Sequence, residues 1–229
     1  MNTHSFLSLL QFADGLFPAG AYAHSFGLET CVQSGAVRDG AGVEAFLRTY
    51  LEGSSAPTDS VGVLCAWRAS ETRDLDACLS LDETLDAMKP VSELRGASRQ
   101  MGRQTLRVAA HLSSDHFLKA ISEAVESGAT PGHHAVAFGA VGDVLGWPPE
   151  EIVCAFLYSA SAAMVGAALR LLSLGQLAGQ QILWNLRPLI SKLAHEVQER
   201  DRAAMWSFAP AQEIAAMRHA SLDARLFRS

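Results

Sequence analysis

From Ile152 to Leu169 the chain runs for eighteen residues without one charged side chain. A stretch this apolar has to be hidden, either inside a protein or inside a bilayer. Its length meets the need of a bilayer span, but its make-up is soft. Tyr158, Ser159, Ser161 and Gly166 interrupt it, alanine is abundant, and Glu150, Glu151 and Arg170 bracket it. The reading is a helix buried all round at the centre of a bundle, with no membrane span. Small residues at Ala155, Ser159, Ala163 and Ala167 fall at helical spacing and would let a neighbouring helix come close.

The rest of the chain supports helices around that centre. Val43, Phe46, Leu47, Tyr50 and Leu51 follow the spacing of one buried helical face. Leu75, Cys78, Leu79, Asp82 and Leu85 give a weaker stripe, and Leu94, Ala97, Met101 and Val108 another. No segment alternates apolar and polar residues with β-branched enrichment, so strands are not expected. Stops are expected at Asp14–Gly20, Gly53–Pro57, Ser127–Gly132 and Gly146–Pro149, where Pro and Gly cluster. None of these is long enough to be a linker. The expectation is an all-α, single-domain bundle over residues 1–229, with roughly eight to ten helices packed by the usual bundle rules.

Several function classes are disfavoured. The formal net charge is −6 and no Lys/Arg run occurs, so the electrostatic footprint of a nucleic-acid binder is missing. No P-loop glycine-lysine pattern is present. Cys31, Cys65, Cys78 and Cys154 form no C-x-x-C pair and read as small apolar residues on helix faces. Met1–Gln11 lacks the basic start and the cleavage site of a signal peptide, which with unpaired cysteines leads to an expected cytoplasmic location.

Two chemical constellations compete with bland readings. His133 and His134 are adjacent after a Pro-Gly turn, and neighbouring side chains at a helix start point apart, a poor arrangement for one ion. They would be the centre of a metal-storage protein if there were one. His24, Ser25 and Glu29 would be the centre of a small helical enzyme, but His24 and Ser25 do not face each other if Ala21–Ser25 opens a helix. Helix capping and internal hydrogen bonding explain the same residues. The last segment is separate in character: Ile214, Met217, Leu222, Leu226 and Phe227 alternate with Arg218, Arg225 and Arg228 in an acidic chain. It reads either as a fraying terminus or as a docking arm.

Four blocks carry a resemblance. Phe17–Glu29 is similar to F-P-x-G-[GA]-[FY]-x-x-S-x-G-L-E, and Glu93–Arg103 to E-L-R-x-A-S-x-Q-M-G-R. Arg170–Gln180 is close to R-L-x-P-L-G-Q-x-x-G-Q, and Met217–Ser229 looks like M-R-H-E-x-x-x-x-R-L-F-x-S. In this order they resemble the UreF-type urease accessory proteins. Departures are Ala19 and Ala21 for the frequent Val and Gly, Ser173 for Pro, and Ala220-Ser221 for Glu-Thr.

The resemblance implies a helical, dimeric, non-catalytic scaffold. It would bridge a UreD/UreH-type accessory protein and the UreG-type GTPase and act with them on urease apoprotein. Nickel and GTP would be handled by those partners, and no cofactor would be bound by this chain alone. By position, partner-binding or passage-lining roles fall to Tyr22, His24, Ser25, Glu29, Arg95, Ser98, Gln176, Gln180, Arg218, His219, Arg225, Leu226, Phe227 and Arg228. Arg95 is the candidate for a scaffold ion pair, since a buried arginine needs partners. The tail, about 211–229, is expected to order on binding.

Overall fold

Pro149 occupies the first turn of the central helix, and Glu150 and Glu151 follow it there, where free N–H groups and the positive end of the dipole suit them. In a computed structural model that describes residues 1–229, this helix runs Pro149–Leu171. By length and composition it is long enough to cross a membrane, yet half of its most apolar window is buried inside the chain. The chain is all-helical. The helices are α1 (Thr3–Ala13), α2 (Leu28–Gln33), α3 (Gly40–Tyr50), α4 (Val61–Glu71), α5 (Leu75–Met88) and α6 (Ser92–Ser113). They are followed by α7 (His116–Glu126), α8 (His134–Val144), α9 (the central helix), α10 (Gln176–Glu196) and α11 (Pro210–His219).

Helices α1, α2, α3, α4, α8 and α10 all pack on α9. Acidic and amide caps fix several starts: Asn2, Asp39, Asp74 and Asp115 each accept a hydrogen bond from a first-turn N–H. Helices α4 and α8 approach closely. A methyl added at Gly139 would lie 2.2 Å from the main-chain oxygen of Val63, so only a glycine lets these two backbones meet. Gly102 plays the same part between α6 and the loop before α8, with Gly132 oxygen 2.1 Å from where its Cβ would be.

The expected stop at Gly53–Pro57 is not a stop. Residues Leu51–Ser60 continue α3 into α4 as a π-helical segment with helical dihedrals at both ends. The wider π turn frees carbonyls that an α-helix would use internally. The segment Trp206–Phe208 takes them: Trp206 N–H donates to Pro57 oxygen at 3.3 Å, and Phe208 N–H to Gly53 oxygen at 2.7 Å. Thr58 Oγ1 adds a 2.5 Å bond to the Trp206 carbonyl. Pro and Gly here therefore shape a groove for another part of the chain. Counting α3, the π segment and α4 as one rod leaves ten helices.

Two other local expectations change. Ala21–Ser25 does not open a helix: Ala21–Ala23 is a single 3-10 turn, and His24 is extended. Ser159 and Ala163 of α9 receive no neighbouring helix. Together with Gly166 they line a cavity of about 320 Å³, which Phe12, Phe17, Tyr22, Phe26, Tyr50, His134 and Phe156 also enclose.

Asp82 closes the turn before α8. Its carboxylate is buried and accepts from Thr130 Oγ1 (2.6 Å), Gly132 N–H (2.5 Å) and His133 N–H (2.7 Å). An Asp82→Asn variant turns an NH2 toward these donors. It is expected to lose about 2 kcal/mol, the cost of leaving buried donors unsatisfied. For a chain of this size that lowers Tm by roughly 6 °C, checked by thermal unfolding.

Candidate functional site

Glu29 sits in the first turn of α2 and is almost fully buried, which for a carboxylate demands strong partners. Apart from a 3.4 Å bond from Gln33 Nε2, they come from the C-terminal segment. Its oxygens accept from Leu226 N–H at 2.7 Å, Phe227 N–H at 3.1 Å and the His219 ring Nε2 at 2.9 Å. Burial pushes the Glu29 carboxyl up, but these donors outweigh it and hold the group below the ordinary carboxylate range.

The neighbouring residues of the first block finish the seat. Ser25 Oγ donates to the Ser229 main-chain oxygen at 2.8 Å, and Ser25 N–H reaches the same atom at 2.6 Å. His24 Nδ1 lies 2.8 Å from Ser229 Oγ, while its Nε2 is buried without a partner. Burial, Arg228 and His219 keep the His24 ring below its ordinary pKa. Arg228 N–H donates to Ala23 oxygen at 2.8 Å. Gly27 has φ +87, and a methyl there would stand 3.1 Å from the Gln212 oxygen and the Ala216 nitrogen. That glycine is thus needed twice, for its backbone angle and for the approach of α11.

Arg170, at the end of α9, closes the other side. Its guanidinium stacks 3.7 Å from the Tyr22 ring and 4.1 Å from the Phe227 ring, and it donates to Tyr22 oxygen at 2.8 Å. From α6, Glu93 meets the His219 Nδ1 at 2.9 Å and Arg225 at 3.6 Å. Gln33 reaches the Ala224 carbonyl at 3.0 Å. The cradle therefore takes residues from the latter half of the first sequence block and from the starts of the second and third, and binds the fourth.

In the single chain the C-terminal segment is seated against the body. Phe227, His219 and Ser229 are buried, and α11 is a regular helix. The physical reason is the ready-made set of acceptors at Glu29 and donors at Ser25. The seated tail leaves Ile214, Met217, Arg218, Arg225, Leu226 and Arg228 exposed, together with Ala220, Ser221, Asp223 and Ala224.

Of the residues singled out by sequence, Tyr22, His24, Ser25, Glu29, His219, Arg225, Leu226, Phe227 and Arg228 come together, and Arg218 lies on the outer face. The others do not join them. Ser98 belongs to a second polar cluster: it bonds His133 Nδ1 at 3.0 Å, whose Nε2 bonds Asp86 at 2.9 Å, and Asp86 pairs with Arg99. Burial holds His133 below its ordinary pKa, and Asp86 cannot donate, so the ring proton sits on Nε2 and Ser98 is the donor to Nδ1. Tyr22 and Ser98 both line the cavity. Arg95 makes no ion pair and donates to the Lys89 carbonyl at 3.0 Å. Gln176 and Gln180 stand exposed on the first turns of α10, apart from the cradle. Glu93, Arg170, Gln33 and Gln212 were missed. The signal for Glu93 and Arg170 was their place at the head of a matched block.

The residues of the two rival constellations take part in these networks. His24, Ser25 and Glu29 each engage the tail, and His24 and Ser25 make no bond to each other. His134 is packed among Phe138 and Phe156 and its pKa is lowered to about 4 by burial, in surroundings unlike those of His133. No three His, Cys, Asp or Glu side chains gather in a metal-holding group. The cysteines are unpaired, and burial raises each thiol, Cys78 to about 12.

The fold and the site define an all-helical protein whose motif residues converge on its own C-terminal segment and hold it in one pose. The UreF family profile matches residues 37–187. The chain is 34% identical to the urease accessory protein UreF of Trichodesmium erythraeum over 221 residues, covering 96% of this chain and 95% of that one. It is 30% identical to the UreF of Bacillus sp. strain TB-90, covering 97% and 98%, and 31% identical to that of Lachnoclostridium phytofermentans over the same shares. The chain belongs to the UreF family of urease accessory proteins.

Proposed function

We propose that this chain acts in urease maturation as a scaffold bridging a UreD/UreH-type protein and a UreG-type GTPase. The observation that carries the reading is the seated tail. Its exposed strip includes Ile214, Met217 and Leu226 at 49, 53 and 60% exposure, with Arg218, Arg225 and Arg228 among them. Apolar anchors ringed by arginines are the make-up of a protein interface. The tail is the surface for the UreD/UreH-type protein. The GTPase meets another face, and the chain works as a homodimer in the cytoplasm. GTP and nickel are held by the partners, and the complex acts on urease apoprotein. Regulation follows from linkage: a scaffold that binds one nucleotide state of the GTPase more tightly shifts it toward that state.

The test is co-expression with UreD/UreH-type and UreG-type proteins, followed by size exclusion with mass determination. A complex holding all three is expected. Elution of this chain alone, with the other two forming a complex without it, would remove the bridging role.

A further inference from the structure

The cavity beside α9 holds about 320 Å³, within the range of small-molecule sites. Its walls are mostly apolar. Phe12, Phe17, Phe26 and Phe156 supply aromatic rings, and Met88 and Met101 supply flexible thioethers that adapt to a guest. Into this lining the π segment brings Asp59, which pairs with Lys89, just past the end of α5, at 2.7 Å. Asp59 is buried, and its Oδ1 alone takes that bond. Its Oδ2 and the two other N–H groups of Lys89 have no protein partner. His134 lines the same cavity, and its ring nitrogens bond no protein group; its nearest rings are those of Phe156 and Phe138, at 5.4 and 5.6 Å. We propose that this cavity is a binding site for a small uncharged molecule with an aromatic body and an amide-type head.

The pair of charges sets the class of ligand. Asp59 and Lys89 balance each other, so a guest with a net charge of either sign meets one attractive and one repulsive partner in weakly screened surroundings. A pure hydrocarbon would fit the rings but would strip water from Asp59 Oδ2 and the Lys89 N–H groups without replacing its bonds, which is costly. An amide carries an N–H and a carbonyl side by side. The N–H donates to the Asp59 carboxylate and the carbonyl accepts from the Lys89 ammonium, two charge-assisted bonds made by one neutral group. The His134 ring, neutral because burial lowers its pKa to about 4, adds one donor or one acceptor for a further polar atom of the guest. The aromatic body lies among the phenylalanine rings, where offset and edge-to-face contacts favour another ring. This site stands apart from the tail cradle and does not depend on the bridging role.

The test is calorimetric titration of the full chain with three probes that share one body: 2-naphthamide, 2-naphthoate and naphthalene. The amide is expected to bind one to one with Kd of about 100 µM, in keeping with the efficiency of small ligands. The carboxylate and the hydrocarbon are expected to bind at least about tenfold more weakly, the loss of one bond to a charged group. Asp59→Asn leaves Lys89 as an unbalanced positive charge, so the preference is expected to reverse in favour of 2-naphthoate. Gly166→Phe fills the cavity from α9, where nothing lies within 4 Å of an added Cβ. It is expected to keep the wild-type circular dichroism and to lose binding of the amide. No binding of any probe, equal binding of naphthalene and the amide, an unchanged order of preference in Asp59→Asn, or full binding by Gly166→Phe would each overturn the site.

Discussion

Removing Met217–Ser229 is expected to abolish capture of the UreD/UreH-type protein while the helical body stays folded. The reason is how little of the core the tail supplies. Of the 46 residues in the apolar core, Phe227 alone comes from this segment. Everything else the deletion removes is either exposed or bound to Glu29, Ser25 and Glu93. The truncated chain is expected to keep its helical circular dichroism and to fail in a pull-down that the full chain passes. A milder version is Glu29→Ala, which strips three acceptor bonds and leaves His219 facing Glu93 only. Breaking a buried pair by removing one member costs about 4 kcal/mol. That cost falls on the docked tail and not on the bundle, so partner affinity should drop at least about tenfold as the binding-ready pose is depopulated. Unchanged partner capture by the truncated chain would mean that the exposed strip is not the docking surface.

The second large effect is on the fold itself. Gly139→Ala is expected to destabilise the chain by about 4 kcal/mol, at the upper end for overpacking, because the added methyl meets main chain and not a movable side chain. Its Cβ would stand 2.2 Å from the Val63 oxygen and 2.8 Å from the Ala66 Cβ. Helices α4 and α8 must then separate along their contact. Tm should fall by roughly 12 °C at about 3 °C per kcal/mol. Gly166→Ala is the matched control, since nothing lies within 4 Å of its added methyl. It should leave Tm unchanged or slightly raised, as a helical alanine is favoured over glycine. Equal melting of the two variants would show that the close approach at Gly139 is not what holds this pair.

Helix positions were legible because burial in a bundle leaves a periodic trace. Val43 and Leu47 of α3 are buried as their spacing demanded; Ile152–Leu169 lies within the central helix but is buried over half of its length only, with Tyr158 exposed, not all round as expected. The stops at Ser127–Gly132 and Gly146–Pro149 also fall between helices. The π segment was illegible because Gly and Pro break an α-helix by local rules, and the groups that rescue the break, at Trp206–Phe208, lie far along the chain. The same limit applies to the cradle. Glu29 and His219 were visible as matched positions, but nothing local says that a carboxylate in α2 will meet an imidazole 190 residues later. Gln176 and Gln180, marked by the same motif membership, face outward from α10 and take no part in the cradle.

The contact between His24 and Ser229 joins residues 205 positions apart. Such a closure carries a large entropic cost until the intervening chain is already compact. The body closes its own long-range contacts without the tail, which supplies Phe227 alone to the apolar core, so the body can assemble first. Seating of the tail then comes last during folding, and by the same reasoning it opens first when the protein is stressed. A newly made molecule therefore passes through a state with a finished bundle and a vacant Glu29, and the pose of its C-terminal strip is the last part of the molecule to be completed.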